Sequence, residues 1–158
     1  VAAAKVSGLD VLAALVVDLA NGDMYTALKN EGLRINGLPN KVATNAIKLV
    51  GVSTGYLKRG GQVPEGCNAR LLGSQALHLC MVSRGVFSSC VNYEAKAWDD
   101  VAGSLMVSES GGLYKHQYSN MAWVDLCTEG SSLRSCASRD PETFQTFCSS
   151  MKEMKNGW

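Results

Sequence analysis

At 158 residues, 46% hydrophobic and 18% charged, the chain has the apolar content of one folded domain and too little charge for a disordered one. Fifteen Lys/Arg against fourteen Asp/Glu leave a net charge of +1, with the basic residues scattered, so no positive field is built that would draw nucleic acid or anionic lipid. The longest apolar run, Val11–Val17, is about seven residues, against the roughly twenty of a membrane-spanning helix.

The sequence begins at Val1 rather than Met, and Val1–Lys5 has no hydrophobic signal core. A targeting peptide already removed, with an organellar address, and a fragment of a longer chain both fit this start. Six cysteines (Cys67, Cys80, Cys90, Cys127, Cys136, Cys148) include no C-x-x-C pair, and the reading is mostly reduced, buried thiols. No repeat, low-complexity tract or linker divides the chain, so residues 1–158 are expected to form a single domain.

In chain order, Leu12–Leu19 and Met24–Leu28 flank the turn chemistry of Asn21-Gly22-Asp23 and predict a β-hairpin. A short strand is expected over Leu33–Ile35, and Ile47–Val52 reads as a fully buried strand. Val52–Arg70, with four glycines and Pro64, reads as the longest loop. The apolar spacing of Ser74–Arg84 predicts a helix with Ser74 as N-cap and Gly85 as its stop, followed by a strand over Val86–Tyr93. A second helix is expected over Trp98–Ser110, stopped by Gly111-Gly112 before Leu113–Lys115 extends again. Asp140 and Pro141 open a last helix, 141–154, with Phe144, Phe147, Cys148, Met151 and Met154 on one face. Strands and helices alternating in this way define an α/β fold.

Three stretches in order resemble the inositol monophosphatase family. Gly22-Asp23-Met24-Tyr25-Thr26-Ala27 followed by Gly32-Leu33-Arg34-Ile35-Asn36-Gly37 is similar to its G-x-x-Y-x-A … G-A-x-x-N-G hairpin. Gly73-Ser74-Gln75-Ala76-Leu77-His78-Leu79-Cys80-Met81-Val82-Ser83-Arg84-Gly85 looks like G-S-A-A-L-x-L-C-x-V-A-x-G, and Trp98-Asp99-Asp100-Val101-Ala102-Gly103 running to Glu109-Ser110-Gly111-Gly112 resembles W-D-x-A-A-G … E-A-G-G. The likeness spans roughly residues 12 to 150 and corresponds to the C-terminal half of a family member. It implies a β-hairpin followed by a layered α/β lobe.

The resemblance also implies a chemistry, hydrolysis of phosphate monoesters with Mg²⁺ held by converging carboxylates. The family draws those ligands from a Glu-rich segment, a D-P-[IL]-D-G-T loop and the Asp of W-D, and only the last, Asp99, occurs in this sequence. Asp100 points about 100° away from Asp99 on a helix and cannot complete a site with it. The resemblance maps substrate contacts onto Gly73, Ser74 and Gln75, and onto an acid six residues before the W-D Trp, a position that is Asn92 here. Ser88 likewise stands where an Asp is usual.

Each of these residues also has a structural reading. Asp99 favours the positive end of a helix it opens, His78 is a helix residue rather than a base, and Gly111-Gly112 is a helix stop rather than a phosphate cradle. Cys136 near Arg134 and Arg139 carries no thiolate chemistry, and His116 has no ligand spacing with another His or Cys. The expectation is a non-catalytic domain, with no catalytic residue and no cofactor, serving as a structural or interaction subunit. It would associate obligately with other protein subunits across an exposed sheet face or edge; attachment to a membrane complex stays open. The alternative is half of a Mg²⁺-dependent sugar or inositol phosphate phosphatase completed by another polypeptide, with Mg²⁺ at Asp99.

Overall fold

The structure, a computed structural model, describes residues 1–43 and 48–153, the last two by backbone only. The chain opens as an antiparallel meander of β1 (Ala2–Ser7), β2 (Asp10–Val17), β3 (Met24–Leu28), β4 (Gly32–Ile35) and β5 (Leu38–Pro39), paired in that order. The expected hairpin is its centre, with the first strand beginning two residues earlier than its sequence pattern predicts. Register sets the inner face: Val16 pairs with Tyr25 and Ala14 with Ala27, and these in turn meet Ile35 and Leu33. β1 is not foreseen by the sequence pattern because it is exposed along nearly its whole length and so carries no alternation.

The second sheet is mixed: β6 (Lys48–Val52), β7 (Cys67–Arg70), β8 (Ser89–Asn92), β9 (Leu113–His116) and β10 (Ser135–Ser138) lie in the order β7-β6-β8-β10-β9. β6 runs parallel to β7 and β8, whereas β10 is antiparallel to β8 and β9. Among the described residues the helices are α1 (Thr54–Lys58), α2 (Gln75–Arg84), α3 (Ala97–Glu109), α4 (Trp123–Thr128) and α5 (Pro141–Glu153). α2 and α3 fill the space between the sheets: Cys80, Ala102 and Met106 share a core with Val16, Tyr25 and Leu33, while Leu79 and Val82 pack with Cys90 and Ala137. Gly103 lets the two helices close, since a Cβ there would lie 2.5 Å from Leu79 Cβ.

Several expectations change in position. Val52–Arg70 is not a loop throughout: Ser53 caps α1 by accepting the Tyr56 N–H at 3.1 Å, Tyr56 is buried, and Cys67–Arg70 forms edge strand β7. A five-residue helix and a half-polar edge strand are too short for periodicity to show. β6 is buried only at Val50, Gly51 and Val52, with Lys48 exposed; Ile47, expected in this strand, and Met154, expected in the last helix, lie outside the described residues. The strand expected over Val86–Tyr93 is confined to Ser89–Asn92 because the backbone N–H groups of Gly85, Val86 and Phe87 turn back onto α2. α4 and β10 carry no sequence signal that predicts them.

The second sheet's far side carries α5, whose Phe147, Cys148 and Met151 pack with Val50, Val52, Tyr56, Val91 and Tyr93. The meander differs. Ala13, Leu15, Val17, Met24 and Leu28 share its outer face by register, and Met24 and Leu28 stay 41% and 47% exposed. Among the described residues no helix is long and apolar enough to cross a membrane.

Glu109 ties α3 to the meander: its carboxylate accepts the Asn30 N–H at 2.8 Å and the Gly32 N–H at 2.9 Å, two donors of the β3–β4 turn. Both bonds are charge-assisted. Glu109→Ala is therefore expected to lower unfolding free energy by about 2–3 kcal/mol, read by urea titration. A change below about 0.5 kcal/mol, the level of an unremarkable surface substitution, would contradict the clamp.

Candidate functional site

α2 and α3 both begin at a cavity of about 470 Å³, whose lining includes Ser53, Ser74, Gln75, His78, Glu94 and Asp99. Gly73, at φ 72, turns the chain into the α2 N-cap in a conformation that disfavours a side chain. Ser74 Oγ accepts the Leu77 N–H at 3.4 Å and its carbonyl accepts the His78 N–H at 3.0 Å. The N–H groups of Gln75 and Ala76, first in the helix, have no intrahelical acceptor and sit at the positive end of its dipole. Such an end suits an anion.

His78 is buried, and its Nε2 accepts the Leu72 N–H at 3.1 Å, which anchors the approach to Gly73. Burial holds its pKa down to about 4, so the imidazole is neutral near pH 7 with Nε2 already engaged. Through Nε2 it holds the approach to the cavity.

Asp99 is the third residue of α3. Its Oδ2 accepts the Lys96 N–H at 2.9 Å, while the Asp99 N–H donates to the Lys96 carbonyl at 2.9 Å. One carboxylate oxygen is thus committed to opening the helix, as its structural reading expects. Asp99 also lines a neighbouring groove with Val1, Asp18 and Ser74, so it stands where two hollows meet.

Asn92 also lines the cavity, with its polar atoms engaged by backbone. It is 2% exposed; its Oδ1 accepts the N–H groups of Glu94 at 3.1 Å and Ala95 at 3.2 Å, and its Nδ2 donates to the Leu133 carbonyl at 3.4 Å. These bonds commit its polar atoms to shaping the turn after β8. Besides Asp99, the cavity holds the carboxylate of Glu94, two residues after Asn92. It pairs with Arg59 at 3.5 Å, and Arg59 donates to the Gly55 carbonyl at 3.0 Å. A Cβ on Gly55 would fall 2.2 Å from Glu94 Cγ and Cδ, so glycine at 55 provides the seat for this side chain. Sequence reasoning missed Glu94 because its supports lie on α1, inside the stretch expected to be loop.

Behind the cavity, Gln75 Nε2 donates to Ser135 Oγ at 3.4 Å, and the Tyr114 hydroxyl donates to Asp100 Oδ2 at 2.9 Å. Asp100 is fully buried, and desolvation pushes its pKa up to about 6 against the opposing pull of Ser135, Gln75 and Tyr114. Adjacent in sequence, Asp99 faces the cavity and Asp100 the interior, as helical geometry requires.

A resident Mg²⁺ implied by the resemblance does not fit the described residues alone. Glu94 and Asp99 are the two carboxylates at the cavity, and no group of three or more His, Cys, Asp or Glu able to hold a metal occurs among the described residues. Mg²⁺ demands near-octahedral oxygen donors, and Asp99 has one oxygen already engaged by a backbone N–H.

An antiparallel meander, a mixed sheet, two helices between them and a helix end beside the W-D carboxylate define a layered α/β lobe. The Inositol monophosphatase family model matches residues 4–153, and the chain belongs to that family. It is 32% identical over 104 residues to a fructose-1,6-bisphosphatase/inositol-1-monophosphatase of Aquifex aeolicus, covering 58% of this chain and 39% of that protein. It is 34% identical over 113 residues to the Nus factor SuhB of Pasteurella multocida, covering 63% and 42%. The chain thus matches about two fifths of the length of these relatives. Among solved structures, Mycobacterium tuberculosis SuhB superposes with a TM-score of 0.75 at 18% identity, over 98% of this chain and 63% of that one. Inositol monophosphate-bound SaIMPase-II superposes at 0.66 and 18%, over 87% and 56%. These structural likenesses establish the α/β fold.

Proposed function

We propose that the chain is a phosphomonoester-binding lobe, one side of a sugar or inositol phosphate phosphatase site that carboxylates from another polypeptide segment complete. The observation that carries this reading is the convergence of Gly73, Ser74 and Gln75, at the start of α2, with Glu94 and Asp99 on one cavity. The helix end receives the phosphate, and Glu94, held by Arg59 and Gly55, accepts hydrogen bonds from substrate hydroxyls. Asp99 stands at the junction with the Asp18 groove, where further carboxylates would approach it. The names of the curated relatives agree with this substrate class.

Glu94→Gln is expected to weaken binding of a polyol phosphate about tenfold, the loss of one charge-assisted hydrogen bond, while leaving inorganic phosphate affinity unchanged. Calorimetric titration of both ligands measures the split. Equal affinities in the variant and the parent for the polyol phosphate would remove Glu94 from the site.

A second reading, a non-catalytic structural subunit in a larger assembly, is favoured by the uncovered outer face of the meander with Met24 and Leu28. Native mass and Mg²⁺-dependent sugar-phosphate hydrolysis, measured on the same fraction from the source, separate the two. A small species whose activity falls with Asp99→Asn supports the phosphatase reading, and a large particle without activity overturns it.

A further inference from the structure

We propose that Cys136 and Cys148 are a modification site, a thiol pair that oxidises to a disulfide joining α5 to the centre of the second sheet. The two sulfurs lie 3.7 Å apart, Cys136 on β10 and Cys148 on α5, twelve positions apart in the sequence. A disulfide is about 2.05 Å long, so the sulfurs need to approach by roughly 1.7 Å. The other cysteines sit on other elements: Cys67 on β7, Cys80 on α2, Cys90 on β8 and Cys127 on α4. Cys80 contacts Met106 instead, at 3.8 Å.

Exposure assigns the order of events. Cys136 is sealed, whereas Cys148 retains 7% exposure at the edge of the cluster formed with Phe147 and Met151. A hydroperoxide meets Cys148 first: its sulfur takes one peroxide oxygen to become a sulfenic acid, and the other oxygen leaves as water. The Cys136 sulfur then attacks the Cys148 sulfur, the S–O bond breaks, the S–S bond forms and a second water leaves. Two thiols and one hydrogen peroxide thus become one disulfide and two waters. Burial pushes the Cys136 thiol pKa up, so little thiolate is present and the closing step is slow. Once formed, the bridge closes a short loop around Asp140 and fixes α5 to β10.

The test treats the folded chain with hydrogen peroxide, unfolds it in alkylating reagent, and maps the peptides by mass. The expected product is a Cys136–Cys148 linked peptide lighter by two hydrogen atoms, with the other four of the six cysteines alkylated. Its melting temperature should rise by about 5 °C relative to the reduced chain. Cys148→Ser should abolish the link and leave Cys136 alkylated. Alkylation of both residues in the treated parent chain, or a link from either one to Cys67, overturns the proposal, and this readout of the parent chain holds whether or not the variant folds.

Discussion

Phe147→Ala is expected to destabilise the chain by about 3–5 kcal/mol, the range for deleting a fully buried aromatic ring. Phe147 is 0% exposed and meets Tyr56 edge to face at 5.9 Å, and Tyr56 meets Tyr93 in the same way at 5.2 Å. The ring therefore closes a column that runs from α5 through α1 to the strand leading into Glu94. Removing it leaves a void and forfeits an aromatic contact worth about 0.5–1.5 kcal/mol beyond area burial. Urea unfolding followed by circular dichroism checks the value. A loss below about 1 kcal/mol would mean that α5 is not anchored through this side chain.

The second large effect is a pair of opposed pH dependences. Asp100 titrates near 6 in the fold against an ordinary 3.8, so between those values the folded state binds the extra proton and stability falls as pH rises. His78 titrates near 4 against 6.5, so in its window the unfolded chain binds the extra proton and stability rises with pH. Each shift corresponds to about 3 kcal/mol, and in the parent chain the two slopes nearly cancel between their limits. Asp100→Asn keeps an acceptor for the Tyr114 hydroxyl and removes the falling slope. The variant should gain up to about 3 kcal/mol on passing from acid to neutral pH, where the parent gains little. Urea midpoints across that range measure this, and parallel profiles for the two proteins would show that Asp100 is not held protonated.

The elements that were legible in the sequence are those whose residues carry their own local instruction. Ser74 and Gly85 bracket α2, Gly111 at φ 77 ends α3, and Asp140 with Pro141 begins α5 because cap chemistry acts within a few residues. β1, β7 and β10 were missed for the opposite reason. β1 and β7 are partly polar edge strands, β10 is four small buried residues, and all three owe their conformation to partners distant in sequence.

The same distinction divides the site. Gly73, Ser74, Gln75, Asn92 and Asp99 are placed by motif spacing and line one cavity. Glu94 depends on Gly55 and Arg59, more than thirty positions earlier, a support that no local motif carries. The burial of Asp100 follows from the packing of α3 against β9 and β10, which no single segment encodes.

The most direct test of the phosphomonoester-binding reading is an amide NMR titration of the chain with inositol monophosphate. Saturable shifts at the amides of Gly73, Ser74, Gln75 and Ala76, accompanied by Glu94 and Asp99, are the predicted result. Amides at these positions that stay unmoved, or that move only with others spread across the surface, would contradict it.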